Sequence, residues 1–493
     1  MGVAIDAELL QDSNNPSYKV LNYVVQQHNK RKHRLQMLSD YYDGKQEILD
    51  HSMVNNQYSS NNKVVVNHAK YITDMNVGFT TGNPIAYTAE KGKNIDPITD
   101  EFNKMDVQTH DAELEKDLSV FGVGFEVHYL KTTGFADDKQ KQPITEERIE
   151  CIDPRGIVMC TDDTVEHNPL FAIHIQEKFD LDGTANGYLL DVYTKTQLIS
   201  YRTRFGYNLD DSNIDSQKVT PHYFGDVPVV EFRNNEERQG DFEQCKSLID
   251  AYNTLQSDRI TDKQDFIDAL LIVYGFSLMG DDEEESKSKL KNGFIDGGAP
   301  GKGEDGASVE WLTKQLDETQ VELLAKSIEN DIHKISYVPN MNDENFMGGN
   351  VSGEAMKYKL FGLLNLLSTK TRYLVKGLRR RLALMQNILN KKGQGVDASG
   401  CKITFTPNIP VNLSDIITNM KNADGIIPRT ITYGWLPDVD DPEEVADQMK
   451  QQKADDIKDS QQALSGDTGK SIDDPEFNND GKGGKKNDPD SDD

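Results

Sequence analysis

Between Leu316 and Asn390 two helical patterns are separated by a loop of unlike composition. Val321, Leu324, Ile328, Ile332 and Ile335 recur three or four residues apart and predict one apolar helix face. Asp317, Glu318, Glu322, Glu329 and Asp331 make the rest of that helix acidic. Pro339 ends the pattern, because it has no N–H to donate and restricts the residue before it. Asn340 to Gly353 (NMNDENFMGGNVSG) holds three glycines and four asparagines and little that builds a core, which predicts a mobile loop. A second helix is predicted from about Gly353 to Asn390, with Leu360, Leu364, Leu367, Leu374, Leu378, Leu382, Met385 and Leu389 at helical spacing. At roughly 1.5 Å per residue it would exceed about 50 Å, with a kink expected near Thr371 or Lys376-Gly377.

A chain of 493 residues, 36% of them hydrophobic, divides into several modules with real cores. It has no run of about 18 uncharged apolar residues, so no bilayer span is expected. The start, MGVAIDAELLQDSNNP, carries acids and no apolar stretch, unlike a secretory signal. Asp6 stands where a myristoylation site needs Ser or Thr, and a cytoplasmic protein is expected. Cys151, Cys160, Cys245 and Cys401 form no metal-ligand spacing and read as free thiols.

The formal charge is −29, from 54 basic and 83 acidic residues. Affinity for duplex DNA rests on Lys and Arg neutralising phosphates, so this chain is not built to grip DNA. A conduit through which DNA slides has the opposite need, although a soluble acidic surface explains the charge by itself.

Residues 17–50 and Asn67 to Phe79 read as helices. From Ile85 to about Val230 the pattern turns to short strands: 122–129, 148–152, 156–160, 170–177, 187–194 and 198–204. Asp241 to Asp262 reads as a helix that pairs with the acidic helix 317–336. Between the two lie strands at Ala269 to Tyr274 and Gly293 to Asp296, the acidic run Asp281 to Glu285 and a loop from Gly297 to Gly306. Lys402 to Thr406 is a further strand, followed by helices at Leu413 to Asn422, at Thr430 to Tyr433 and after Asp441-Pro442-Glu443-Glu444, a strong start signal. From Ser465 onward no apolar period remains and disorder is expected.

Most chemical motifs fail on spacing. Gly297 to Lys302 evokes a phosphate loop, yet Asp296 takes the first Gly position and Gly303 that of the Ser or Thr. Gly122-Val123-Gly124 lacks the third Gly and predicts close packing or a bulge. Asp180-Leu181-Asp182-Gly183 continues with Thr184 and Ala185 rather than calcium-loop ligands, so a hairpin turn is expected. The ten histidines, His174 among them, form no legible triad.

Along the chain lie Tyr41 to Lys45 (YYDGK), Asn61 to Ile72 (NNKVVVNHAKYI) running into Gly78 to Pro84 (GFTTGNP), Val227 to Phe232 with Asn234-Asn235, Leu248 to Asn253, Gly353 to Lys357 and Leu378 to Leu382. In these strings, taken in order and spacing, the chain resembles the portal proteins, head-to-tail connectors of long-tailed double-stranded DNA bacteriophages. The resemblance implies an α+β portal fold. A wing would take residues 1–240, a first stem helix 241–264, a clip 265–315, a second stem helix 316–338 and a tunnel loop 339–352. A long helix over 353–391, a strand and helical crown over 392–464 and a disordered acidic tail over 465–493 would complete it.

The resemblance further implies a non-enzymatic ring of roughly twelve subunits at one capsid vertex of the virion, assembled in the host cytoplasm. Double-stranded DNA would pass through without sequence specificity. Implied partners are terminase, a head-tail adaptor and the major capsid and scaffolding proteins, with no membrane, cofactor or metal. The implied DNA-facing loop residues are Asn340, Met341, Asn342, Asp343, Glu344, Asn345, Phe346, Met347, Gly348, Gly349 and Asn350. Amides there suit sliding contact, offering exchangeable hydrogen bonds without fixed charge. The implied channel-lining stem residues are Glu318, Glu322, Lys326, Glu329 and Lys334. The basic cluster Lys370, Arg372, Lys376, Arg379, Arg380 and Arg381 is expected to pair with acids of a neighbouring subunit in preference to DNA. Two alternatives stay open at this point: a nucleotide- or metal-dependent enzyme with a site assembled from distant acids, and another ring component of the neck.

Overall fold

The computed structural model describes residues 2–10, 12–50, 62–135, 143–267, 270–274, 294–296, 308–312, 318–341, 353–409, 413–436, 439 and 442–465. The chain divides into two compact units, Met1–Ile409 and Pro410–Asp493.

The first unit opens with β1 (Val3–Ile5), α1 (Tyr18–Tyr42), α2 (His68–Thr81), β2 (Ala86–Thr88), α3 (Asp96–Met105) and α4 (Val107–Phe121). A run of strands follows: β3 (Val123–Phe135), β4 (Pro143–Ile152), β5 (Ile157–Asp162), β6 (Pro169–Phe179), β7 (Ala185–Tyr193), β8 (Gln197–Thr203), β9 (Ile214–Pro221) and β10 (Val229–Arg233). Then come α5 (Lys246–Ile267), β11 (Leu270–Tyr274), β12 (Phe294–Asp296), β13 (Ser308–Leu312), α6 (Glu318–Ser336), α7 (Gly353–Lys359), α8 (Phe361–Lys391) and β14 (Lys402–Thr404). One sheet has the order β1-β5-β6-β7-β8-β9 and a second β10-β3-β4; β12-β11-β13 and β14-β2 form smaller ones.

Side-chain period explains which faces meet. The first half of α1 buries Leu21, Val24 and Val25 on the larger sheet, against Phe171, Ile173, Leu190, Val192 and Tyr201. Its second half turns Leu35, Leu38 and Tyr41 into another core shared with α2, α5, α6 and Leu360, Leu363 and Leu367. From Leu374 to Leu389, α8 packs with residues of α3, α4 and β10 in a third core. Helices α5 and α6 run antiparallel: Lys263 meets Glu318 at one end, and Cys245, just before α5, lies 3.7 Å from the Ile332 carbonyl at the other.

Several expectations need correction. The segment read as strands from Ile85 also contains α3 and α4, joined at Asp106, whose φ of 53° turns the chain sharply. β9 went unread because it is an exposed edge of polar sequence, IDSQKVTP, with no alternating apolar face. The predicted helix from Gly353 is interrupted at Leu360 (ψ 4°), and no break occurs at Lys376-Gly377. Gly377 serves packing there: a Cβ would come 2.3 Å from the Phe232 ring. β14 pairs with β2, so it belongs to the first unit rather than with the C-terminal helices. On α6 the buried stripe is Ala325, Ile332 and Ser336, rotated from the predicted apolar face, and Leu324 and Ile335 are left 53% and 41% exposed.

Gly122 and Gly124 show the close packing their spacing predicts. Gly122 (φ 79°) caps α4 against the Arg238 carbonyl, and Gly124 touches Leu114. Asp180 to Gly183 forms the turn between β6 and β7. The four cysteines form no disulfide. Among the described residues, no helix is long and apolar enough to cross a membrane. The second unit holds α9 (Leu413–Ala423), α10 (Arg429–Tyr433) and α11 (Pro442–Ser465), and α10 packs on α11. Arg429 pairs with Asp424 at 2.8 Å. The loop Gly297 to Gly306, the run Asp281 to Glu285 and residues 466–493 lie outside the described residues.

Candidate functional site

Asn340 and Met341 are the described members of the predicted loop; Asn342 to Asn350 lie outside the described residues. The entry to the loop is held rigidly. Tyr337 stands at φ 60°, a left-handed conformation that ends α6, and Val338 is fully buried behind it. The Val338 carbonyl accepts from His333 Nδ1 at 2.9 Å. Tyr71 of α2 donates its hydroxyl hydrogen to the Pro339 carbonyl at 2.9 Å and accepts from the Met341 amide at 3.2 Å. Asn340 Nδ2 donates to Glu329 at 3.0 Å. His333 stacks edge-on with both His68 and Tyr71; burial, and secondarily His333, lowers the His68 pKa to about 4, so this ring is neutral at physiological pH.

The predicted stem residues have unequal environments. Glu318 pairs with Lys263, and Glu322 with Lys326 at 2.8 Å, both pairs well exposed. Lys334 is exposed. Glu329 is half-buried, and its carboxylate is engaged by Asn340. Exposed pairs of this kind contribute at most about 1 kcal/mol each.

The basic cluster of α8 is sorted by helix geometry. Positions 370 and 381 fall on one face, since eleven residues at about 100° each return nearly to the start; 372, 376 and 379 fall on the opposite face. The first face is buried. Lys370 reaches Glu115 at 2.5 Å and Asp241 at 2.9 Å. Arg381 bonds Glu126 through Nε and Nη2 and Asp111 at 2.7 Å. Arg380 contacts Asp226 at 3.3 Å and the Val227 carbonyl. For these three the expectation of pairing with a neighbouring subunit is replaced by pairing within the chain, because α4, β3 and the segments just before β10 and α5 carry the acids.

Around Arg381 the charges are fully desolvated. Burial by itself would raise the Glu126 carboxyl, but Arg381 and the hydrogen bonds from His110 (2.9 Å) and His128 (2.8 Å) hold it well below the usual carboxylate range. Each histidine therefore donates through Nε2. Burial opposes the charge on Arg381 too, and Asp111 and Glu126 outweigh it. Lys370 is likewise raised, burial being outweighed by Asp241 and Glu115. Glu115 is pushed up to about 7, chiefly by burial, with Asp241 opposing the help from Lys370. The geometry describes clamps that tie α8 to α4 and β3. No group of three or more His, Cys, Asp or Glu residues among the described residues is placed to hold a metal.

Three of the strings quoted above converge on α5. The Tyr41 hydroxyl donates to Asp250 at 2.5 Å, Asn67 Nδ2 to the Tyr42 carbonyl at 2.9 Å, and the Val64 and Val66 amides to Ser257 and Asn253. Asn253 in turn donates to Gln46 at 2.5 Å. The Ser257 and Asn253 side chains of α5 thus satisfy the amides of a backbone segment that has no strand partner.

Over 421 residues the chain is 23% identical to the portal protein of Bacillus phage SPP1, covering 82% of this chain and 78% of that one. Over 245 residues it is 28% identical to the portal protein of Clostridium phage phiCD119, about half of each chain (49% and 51%). Residues 21–459 match the sequence model of the family described as phage portal protein, SPP1 Gp6-like. With that match spanning nearly the whole chain, the protein belongs to the SPP1 Gp6-like family of phage portal proteins.

Proposed function

We propose that this protein is the structural portal of a phage: a ring of roughly twelve copies around an axial channel at one capsid vertex, through which DNA is packaged and later ejected. The match over residues 21–459 carries the reading. The antiparallel pair α5 and α6 would form the stem, the sheet of β11, β12 and β13 the clip, the sheets and helices before α5 the wing, and the second unit the crown. Terminase and then a head-tail adaptor would dock at the clip, while the major capsid and scaffolding proteins would meet the wing. The ring would act without enzymatic activity of its own.

In this reading residues 340–350 face the DNA, with Glu318, Glu322, Lys326 and Lys334 supplying the sparse charge of the stem. Glu329, on the same stem helix, would line the channel with them and also holds the loop base through Asn340. The anchoring of Pro339 and Met341 on Tyr71 supports the loop assignment, because a loop that contacts moving DNA needs a fixed root. The test is DNA packaging by particles carrying Gly348→Pro and Gly349→Pro together. Stiffening should leave rings and procapsids intact and reduce nuclease-protected DNA per particle. Packaging equal to wild type would remove the loop from the DNA path.

A further inference from the structure

The outward face of α8 carries Arg372, Lys376 and Arg379, all exposed, in contrast to the buried clamps on the opposite face. With Lys402 of β14 they line an open groove of about 740 Å³, together with Thr371, Val375, Ile403, Thr404 and Phe405. Among the described residues, no carboxylate lines it. Among the described residues, none of these four cations has an ion-pair partner, whereas Lys370, Arg380 and Arg381 on the same helix all do. In a chain with 83 acids and 54 bases, four cations gathered in one cleft without an acid repel one another and lack the counter-charge that the rest of the molecule supplies.

We propose that this groove is an interface between copies of the chain, receiving an acidic segment from the neighbouring subunit of the ring. The inference rests on the ring reading given above. Charge complementarity selects the occupant: the protein itself, at −29, is the polyanion that a ring places permanently beside each copy. The lining also fits a polypeptide better than a phosphate backbone. Val375, Ile403 and Phe405 are partly buried and interleave with the cations, so an occupant with both apolar and acidic side chains would cover them, while phosphates would leave them wet. The spacing agrees, since Arg372 and Arg379 lie two turns apart, about 10 Å along the axis, the reach of a few residues of a crossing segment.

The test uses rings of the full chain assembled from equal amounts of unlabelled and ¹⁵N-labelled protein, scored by sedimentation and then treated with a carbodiimide. That reagent condenses a lysine amine with a carboxylate in contact, losing water and forming an amide. Lys376 and Lys402 should appear in cross-links to Asp or Glu peptides of the other isotope. Rings in which these lysines join only peptides of their own isotope, or none, would overturn the proposal while leaving the ring reading standing. Protein that sediments only as monomer would instead remove the ring reading, and this interface with it. A second arm uses Arg372→Glu with Arg379→Glu. Its rings should fall apart at a lower salt concentration than wild type, with an unchanged melting curve of the dissociated subunit. If the variant keeps wild-type salt resistance but loses binding to a short DNA duplex, the groove holds nucleic acid and the proposal fails.

Discussion

Arg381 and Glu126 meet at full burial, the guanidinium of α8 donating to Oε2 of the β3 glutamate from Nε at 2.9 Å and from Nη2 at 2.6 Å, with Nε also 3.1 Å from Oε1. With Lys370 three turns earlier on the same face, this pair fixes the long helix to the β10-β3-β4 sheet and to α4. Sliding the helix by a turn would leave the acids of both desolvated clamps buried without their cations.

Arg381→Met should destabilise the first unit by about 3–5 kcal/mol, because Glu126 and Asp111 would remain buried without their cation. Arg381→Lys should recover part of the loss, keeping the charge and losing the two-pronged geometry. Denaturant midpoints of the three proteins check the order wild type, Lys, Met. Equal midpoints for Met and wild type would show that the clamp contributes nothing.

Glu115 predicts a pH dependence. Its folded pKa of about 7 lies above the ordinary 4.5, so between those values the native state holds a proton that the unfolded state has released. Stability from this group is therefore full below about pH 4.5 and declines as pH rises to about 7. Glu115→Gln removes the titration while Lys370 keeps Asp241. The difference in denaturant midpoint between Glu115→Gln and wild type should move in favour of Gln from about pH 5 to about pH 8. A pH-independent difference would contradict the assignment.

Leu324 and Ile335 are the part of the predicted α6 stripe that this subunit leaves uncovered. Replacing both with Ser should change subunit stability by about 0.5 kcal/mol or less and lower the yield of rings in sedimentation velocity. Unaltered ring yield would place these residues outside any subunit contact.

Much of the architecture could be read from the sequence where one period dominates. The strands β3 to β8 were legible from alternation and turn residues, and α6 from its spacing with Pro339 as a stop. Helices α3 and α4 were missed although Ile98 with Phe102 and Leu114 with Leu118 are each four apart, because the surrounding strand signals outweighed two short helices. The fate of the α8 bases was not legible. Helical spacing puts 370 with 381 and 372 with 376 and 379, but which face meets Glu115 and Glu126 depends on contacts more than two hundred residues distant in sequence. Of the loop, only its root at Asn340 and Met341 is described.

Deleting Gly466 to Asp493 should leave assembly intact, since that stretch has Ile472 and Phe477 as its only large apolar residues, too little surface to offset its ordering entropy. Loss of rings in sedimentation velocity would show that the segment docks on the assembly.

The most direct measurement is negative-stain electron microscopy of the purified full-length protein. The account predicts closed rings with a central channel and a single rotational symmetry of roughly twelvefold order. A population of monodisperse monomers at micromolar concentration, or closed particles without an axial channel, would contradict it.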